Sequence, residues 1–127
     1  MKKPIFILVF FILLTSCKKE ETITYSSSVV GQWEWLSTCG GFSGLCVTPQ
    51  TTHVTIGLAF SQDSVYSEYQ NDTLVASHSF SIVRKPVDNK YGALLIDSRY
   101  YNYLIYHDTL SFSPQGADFG STYKRKK

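Results

Sequence analysis

Two stretches of this chain, residues 52–60 and 73–83, alternate between apolar and polar side chains. A period of two places every second side chain on one face, which is typical of β-strands with one buried face. Between the two stretches, Asn71 and Asp72 form a two-residue hairpin signal. The face predicted to point inward carries Val54, Ile56, Leu58, Phe60, Leu74, Ala76, His78, Phe80 and Ile82.

The rest of the chain after residue 28 also favours strands, and no window in it has the 3.6-residue apolar period of a helix. Turn signals separate further predicted strands, which lie at residues 32–37, 65–70, 91–97, 101–106, 109–113 and 119–124. Sequential hairpins favour up-and-down connections, and closing such a sheet removes its exposed edges. We therefore predict an all-β fold, an antiparallel up-and-down β-barrel of about eight short strands, with residues 38–51 as one long connection.

The N-terminus has the layout of an export signal. Lys2 and Lys3 precede an apolar run at residues 5–14, which is too short to span a bilayer because a spanning helix needs ~20 residues. Residues 14–17, Leu-Thr-Ser-Cys, resemble the bacterial lipoprotein box. The resemblance implies cleavage before Cys17, a thioether link from its sulfur to diacylglycerol, and acylation of its amino group. It also implies a membrane partner for the mature chain.

These patterns predict three segments. Residues 1–16 are expected to be a lipoprotein signal peptide, residues 17–28 a lipidated and flexible tether, and residues 29–125 one folded domain.

The remaining cysteines, Cys39 and Cys46, would meet an oxidising compartment after export. The six-residue loop between them contains three glycines, which allow a tight turn. We predict a disulfide, and closure of this loop would contribute roughly 2–2.5 kcal/mol. The alternative is a metal pair, for which His53 is the only further ligand nearby.

Charge and motifs argue against several function classes. Without residues 1–16, ten basic side chains balance ten acidic ones, whereas a nucleic-acid binder carries a basic surplus. The sequence has no nucleophile elbow, phosphate-binding loop or zinc-protease motif. We expect neither an enzyme nor a cofactor or metal site. Glu68 shares a strand face with Tyr66; it is expected at the surface, and the alternative is a buried acid.

The ends of the predicted domain resemble the lipocalin-like (calycin) pattern. Residues 30–35, Val-Gly-Gln-Trp-Glu-Trp, open it with two tryptophans on one strand face, and residues 118–125 end in Tyr-Lys-Arg. The resemblance covers residues 29–125 and is closest to the small lipocalin-like lipoproteins of Bacteroidetes. It implies that Trp33 packs at the closed end of a barrel beneath a cation, either Lys124 or Arg125.

Residues 17–21, Cys-Lys-Lys-Glu-Glu, also resemble the signal that sends lipoproteins of that phylum to the cell surface. The expected location is therefore the outer membrane, with the protein held by its lipid, and the choice between the periplasmic and the outward-facing leaflet stays open.

Two functions fit these predictions. In the first, the barrel binds a small hydrophobic or amphipathic ligand. In the second, the same side chains fill the barrel, and loops such as residues 40–45 contact an envelope protein or a glycan. The ligand-binding candidates are Val54, Ile56, Leu58, Leu74, Ala76, Phe80 and Ile82, with His78 as a polar contact or a satisfied interior histidine. The tyrosines at 100, 101, 103 and 106 are expected mainly to pack the sheet.

Overall fold

A computed structural model describes residues 28–127 of the chain. The predictions for Cys17, for the signal peptide at residues 1–16 and for the tether at residues 17–27 lie outside the described residues.

The described chain is a closed antiparallel barrel of eight strands with one extra strand at its edge, so the predicted fold class is confirmed. Each barrel strand pairs with the next in sequence, and β1 closes the barrel by pairing with β9 from Trp33 opposite Arg125 to Gly40 opposite Phe119. The elements are β1 (Gly31–Gly40), β2 (Cys46–Val47), α1 (Pro49–Thr52), β3 (Ile56–Phe60), β4 (Val65–Gln70), β5 (Thr73–Arg84), β6 (Gly92–Ile96), β7 (Arg99–Tyr106), β8 (Thr109–Pro114) and β9 (Phe119–Arg125).

The long connection between β1 and β3 holds two short elements that the strand pattern did not predict. Strand β2 pairs with the end of β1 outside the barrel. Helix α1 starts because Thr48 accepts a hydrogen bond from the Thr51 amide and Pro49 occupies its first turn. His53 ends it in a left-handed conformation, so β3 begins at Ile56 and the prediction of a strand from residue 52 was wrong. At four residues, this helix of the described chain is too short to cross a membrane.

Tight hairpins join several of the strands, one at the predicted Asn71-Asp72 turn and another at residues 97–98, which lie partly within a predicted strand. Asn71 and Asp72 both have positive φ, 49° and 64°, as the twist-matched two-residue turn requires. Asp97 and Ser98 form an equivalent turn between β6 and β7, with φ of 44° and 64°. Because the strands run up and down, these two turns and the β8–β9 turn lie at one end of the barrel, which we call the mouth. Residues 28–30 and the end of β9 lie at the other, closed end.

An aromatic cluster fills the barrel interior below the mouth. The ring of Phe60 lies 5.2 Å from the rings of Tyr66 and Phe80 and 6.2 Å from that of Phe112. Both tryptophans of β1 are buried on the same face, as predicted. The other core residues are Val29, Leu58, Leu94, Ile96, Tyr103, Leu110 and Tyr123. All of them lie between residues 29 and 123, so the described segment contains its own core.

Arg125 closes the lower end. Its guanidinium carbon lies 4.2 Å from the centroid of the Trp33 ring, and its two terminal nitrogens donate to the carbonyls of Val30, at 3.0 Å, and Ser28, at 2.9 Å. The Trp33 indole donates to the carbonyl of the fully buried Val29 at 2.8 Å. Of the two cations considered from the sequence, Arg125 therefore covers Trp33, whereas Lys124 points to the exposed outer face opposite Glu34. Ser28, expected in the flexible tether, is held against the barrel.

Candidate functional site

The mouth of the barrel contains a pocket of about 300 Å³ between strands β4, β5, β6 and β7. It exists because residues 73–79 of β5 pair only with β4, while β6 joins β5 from Phe80 onward. Strands β4 and β5 therefore project past the β6–β7 turn. In this projecting part, the inward-facing side chains of β5 have β4 as a neighbour on one side and no strand on the other. We call this the mouth pocket; its lining includes Tyr66, Glu68, Ala76, His78, Ile96 and Tyr101.

Glu68 is a charged side chain of the mouth pocket that lies on β4. It is half-buried, and strand pairing places it between the inward-facing Leu58 of β3 and Ala76 of β5. The hydroxyl of Tyr66 donates to its Oε2 at 3.0 Å. Glu68 is therefore neither a surface residue nor a buried acid, the two positions considered from the sequence: it is half-buried on the inward face that it shares with the buried Tyr66.

Tyrosine rings surround this carboxylate. Tyr101 stands in the pocket wall and stacks on Phe112, with ring centroids 4.8 Å apart and planes inclined by 5°. Burial first, and then the nearby Glu68 carboxylate, raise the pKa of Tyr66. Burial also raises the pKa of Tyr123 to about 12, although a hydrogen bond with Ser121 opposes the shift. Tyr66 and Tyr123 are therefore neutral at physiological pH.

Polar side chains form the rim of the mouth pocket. His78 Nδ1 lies 3.7 Å from an oxygen of Asp97 at the β6–β7 turn, and both side chains are largely open to solvent. Arg99, the first residue of β7, also lines the pocket and is exposed. His78 lies at the pocket entrance, so it is not the satisfied interior histidine considered from the sequence.

The predicted ligand-lining face is divided among four environments. Ala76 and His78 line the mouth pocket, whereas Leu58 and Phe80 belong to the packed core beneath it. Ile56 packs partly against that core. Val54 is half-buried in the connection before β3.

The remaining two candidates, Leu74 and Ile82, are 53% and 40% exposed, so their prediction as cavity lining was wrong. A β-bulge at Val75 shifts the register, so that Leu74 pairs with Tyr69 on the outer face. Ile82 lies opposite the buried Leu94 but three residues past Ser79, where the pairing with β4 ends. It therefore has a neighbouring strand on one side only.

Alternation along the strands also indicates inward-facing residues outside the predicted ligand-lining face. It places Tyr66 and Glu68 of β4 inside. In β7 it places Tyr101 and Tyr103 inside and Tyr100 and Tyr106 outside. The sequence does not predict that Ile96 faces inward, because β6 is apolar throughout and shows no alternation of apolar and polar side chains.

A second concavity, of about 490 Å³, lies on the outside of the barrel. It forms because Gly57 and Ala59 of β3 present almost no side chain between those of β1 and Tyr69 of β4. Gln32 and Glu34 border it on the outer face. We call it the outer groove; it is larger than the mouth pocket and lies on the outer surface of the barrel wall.

The predicted disulfide between Cys39 and Cys46 is present, with an S–S distance of 2.04 Å. It joins β1 to β2 outside the barrel, so these sulfurs are not a metal pair. The loop that it closes carries Phe42 and Leu45, which are 112% and 72% exposed. Among residues 28–127, no group of three histidine, cysteine or acidic side chains is placed to hold a metal ion.

No protein-family model matches the chain, and no curated protein matches it either. The resemblance of residues 29–125 to lipocalins therefore stays a prediction. The barrel fold itself is shown by the structure.

Proposed function

We propose that this protein is a lipid-anchored lipoprotein of the outer membrane that binds one small amphipathic ligand in the mouth of its barrel, without catalysing a reaction. The mouth pocket carries the proposal, because four charged or polar side chains converge there beside aromatic and apolar ones. Its volume of about 300 Å³ lies at the lower end of the ~300–1,000 Å³ typical of small-molecule sites. The ligand is accordingly small, since the aromatic cluster around Phe60 occupies the space below.

The membrane part of the proposal rests on the sequence of residues 1–17. Lipid attached to Cys17 would anchor a domain whose own core begins at Val29. The test is the cellular fraction and palmitate labelling of the full chain: the wild type should be labelled and membrane-bound, and Cys17→Ser should lose both. Equal labelling of the two proteins would refute the anchor.

Native mass spectrometry of residues 18–127, purified from the producing organism, tests ligand binding. We expect a reproducible added mass that is lost in Ala76→Trp, because the larger side chain fills the mouth pocket. The matched control is Ala59→Trp, which places the same side chain in the outer groove and should keep the added mass. A wild-type protein of bare mass would contradict the proposal.

A second candidate function has its own supporting observation. The interior around Phe60 is already filled, and the disulfide-closed loop presents Phe42 with its side chain entirely in solvent. Such a barrel could act as an envelope interaction module that contacts a protein or glycan through this loop. In that case Phe42→Ser would abolish partner capture, and Ala76→Trp would leave it unchanged.

A further inference from the structure

The mouth pocket contains a carboxylate without a cationic partner. Glu68 accepts a hydrogen bond from Tyr66 at one oxygen, and no lysine, arginine or histidine nitrogen among residues 28–127 pairs with it within 4.0 Å. No side-chain oxygen in this part of the chain is both fully buried and unsatisfied, so the carboxylate still reaches the solvent of the pocket. A half-buried charge in this position favours a ligand that neutralises it.

The surrounding wall suits an organic cation better than a hydrated metal ion. Tyr101 contributes a partly exposed aromatic ring to the wall, and the nearly buried Tyr66 and Ile96, 7% and 3% exposed, also line it. Aromatic faces attract ammonium groups, and the attraction increases as the cation loses water. A metal ion would require several oxygen or nitrogen ligands, and no group of three suitable side chains is present in the described chain.

The charged side chains at the rim do not reverse the preference of the mouth pocket for an organic cation. Asp97 on the β6–β7 turn and Arg99 at the start of β7 carry opposite charges, so together they add no net charge at the entrance. Arg99 is exposed at the start of β7, whereas Glu68 lies in the middle of β4 beside Leu58, which is 2% exposed. A ligand that enters past the rim therefore meets the negative charge of Glu68 inside.

We infer that the mouth pocket selects a ligand with an ammonium group on a small apolar body, with the ammonium group against Glu68 and the body against Tyr101 and Ile96. This inference rests on the proposed ligand-binding function and names its chemical class. Neutral and anionic ligands of the same shape are expected to bind less well, because only the cation forms an ion pair with Glu68.

Isothermal titration of residues 18–127 with three probes of one shape tests the inference. The probes are benzylammonium, benzyl alcohol and benzoate, which share a ring and differ in charge. Benzylammonium should bind about tenfold more tightly than benzyl alcohol, and benzoate should bind least. Glu68→Gln keeps the side-chain shape and an acceptor for the Tyr66 hydroxyl, and it should reduce benzylammonium binding to the level of the alcohol.

Glu34→Gln is the matched control, because it removes the same charge from the exposed outer face of β1. It should leave all three affinities unchanged, and thermal melts should show that both variants fold. Equal binding of the three probes, blocked by Ala76→Trp, would overturn the preference for a cation while keeping the mouth pocket as a ligand site. No binding of any probe to the wild type would overturn both proposals. The comparison of probes on the wild type remains decisive if Glu68→Gln fails to fold.

Discussion

Replacing Arg125 with methionine should open the closed end of the barrel. The guanidinium donates to the carbonyls of Val30 and Ser28 and lies 4.2 Å from the Trp33 ring. Methionine keeps much of the side-chain length but loses the charge and the donors. The residues it would release, 28–30, include Val29, whose side chain is fully buried.

The magnitude follows from these contacts. Two hydrogen bonds from a charged donor contribute ~1.5 kcal/mol each at the low end of their range, and the cation–π contact about 0.5–1 kcal/mol. Because the bond to Ser28 is exposed, we discount the sum to about 2–3 kcal/mol. For a domain of this size, that loss corresponds to a melting temperature lower by about 10–20 °C.

Urea unfolding followed by tryptophan fluorescence measures this loss, with Lys124→Met as the matched control. Lys124 is the neighbouring cation on the exposed face, so its substitution should change stability by less than about 0.5 kcal/mol. If Arg125→Met were as stable as Lys124→Met, the reasoning about the closed end would be refuted.

Three further predictions concern stability. Cys39→Ser combined with Cys46→Ser should destabilise the domain by roughly 2 kcal/mol in urea while keeping its far-UV circular dichroism, because the bridge closes a short loop outside the barrel; loss of the barrel signal would contradict this placement. Gly92→Ala should destabilise by about 1–3 kcal/mol in the same assay, because a Cβ there would lie 2.5 Å from the Arg84 carbonyl and 2.7 Å from the Tyr103 ring; wild-type stability would show that the close approach is absent. Stability should be intact below pH 10 and decrease as the pH rises toward 12, because Tyr66, Tyr103 and Tyr123 have raised pKa values in the folded state and hold protons that the unfolded chain releases. The decrease is at most about 1.4 kcal/mol per pH unit for each such tyrosine; Tyr123→Phe should make the slope of the urea midpoint against pH shallower by roughly a third, and an unchanged slope would count against the burial of this hydroxyl.

Sequence reasoning located most of the barrel because its physical causes are local. The alternation in β5 and the Asn71-Asp72 turn each depend on neighbouring residues, and a closed sheet follows from many such hairpins. The disulfide was also predictable, because Cys39 and Cys46 flank a short glycine-containing loop in a chain with an export signal.

The mouth pocket was less predictable because it depends on where strand pairing ends. A bulge at Val75 reverses the parity that had placed Leu74 inside, and no residue type there signals it. The side chains lining the pocket are inward-facing because of their parity, but they are accessible because β4 and β5 extend beyond the β6–β7 turn. That offset is a property of the assembled sheet and has no signature in a single strand.

The choice between Lys124 and Arg125 shows the same limit. Adjacent residues on a strand point to opposite faces, so only one of the two could cover Trp33. The parity of β9 is set by Tyr123, which is inside, and this places Arg125 inside as well. The sequence alone left the parity open because both residues are basic.

The most direct test of a ligand site in the barrel mouth is a titration of ¹⁵N-labelled residues 18–127 with benzylammonium, followed by amide chemical shifts. We predict that the largest changes occur at Tyr66, Glu68, Ala76 and Tyr101, with little change at Gly57 and Ala59 in the outer groove. Changes centred on the outer groove or on the 40–45 loop, or no change at millimolar probe, would contradict a ligand site in the mouth.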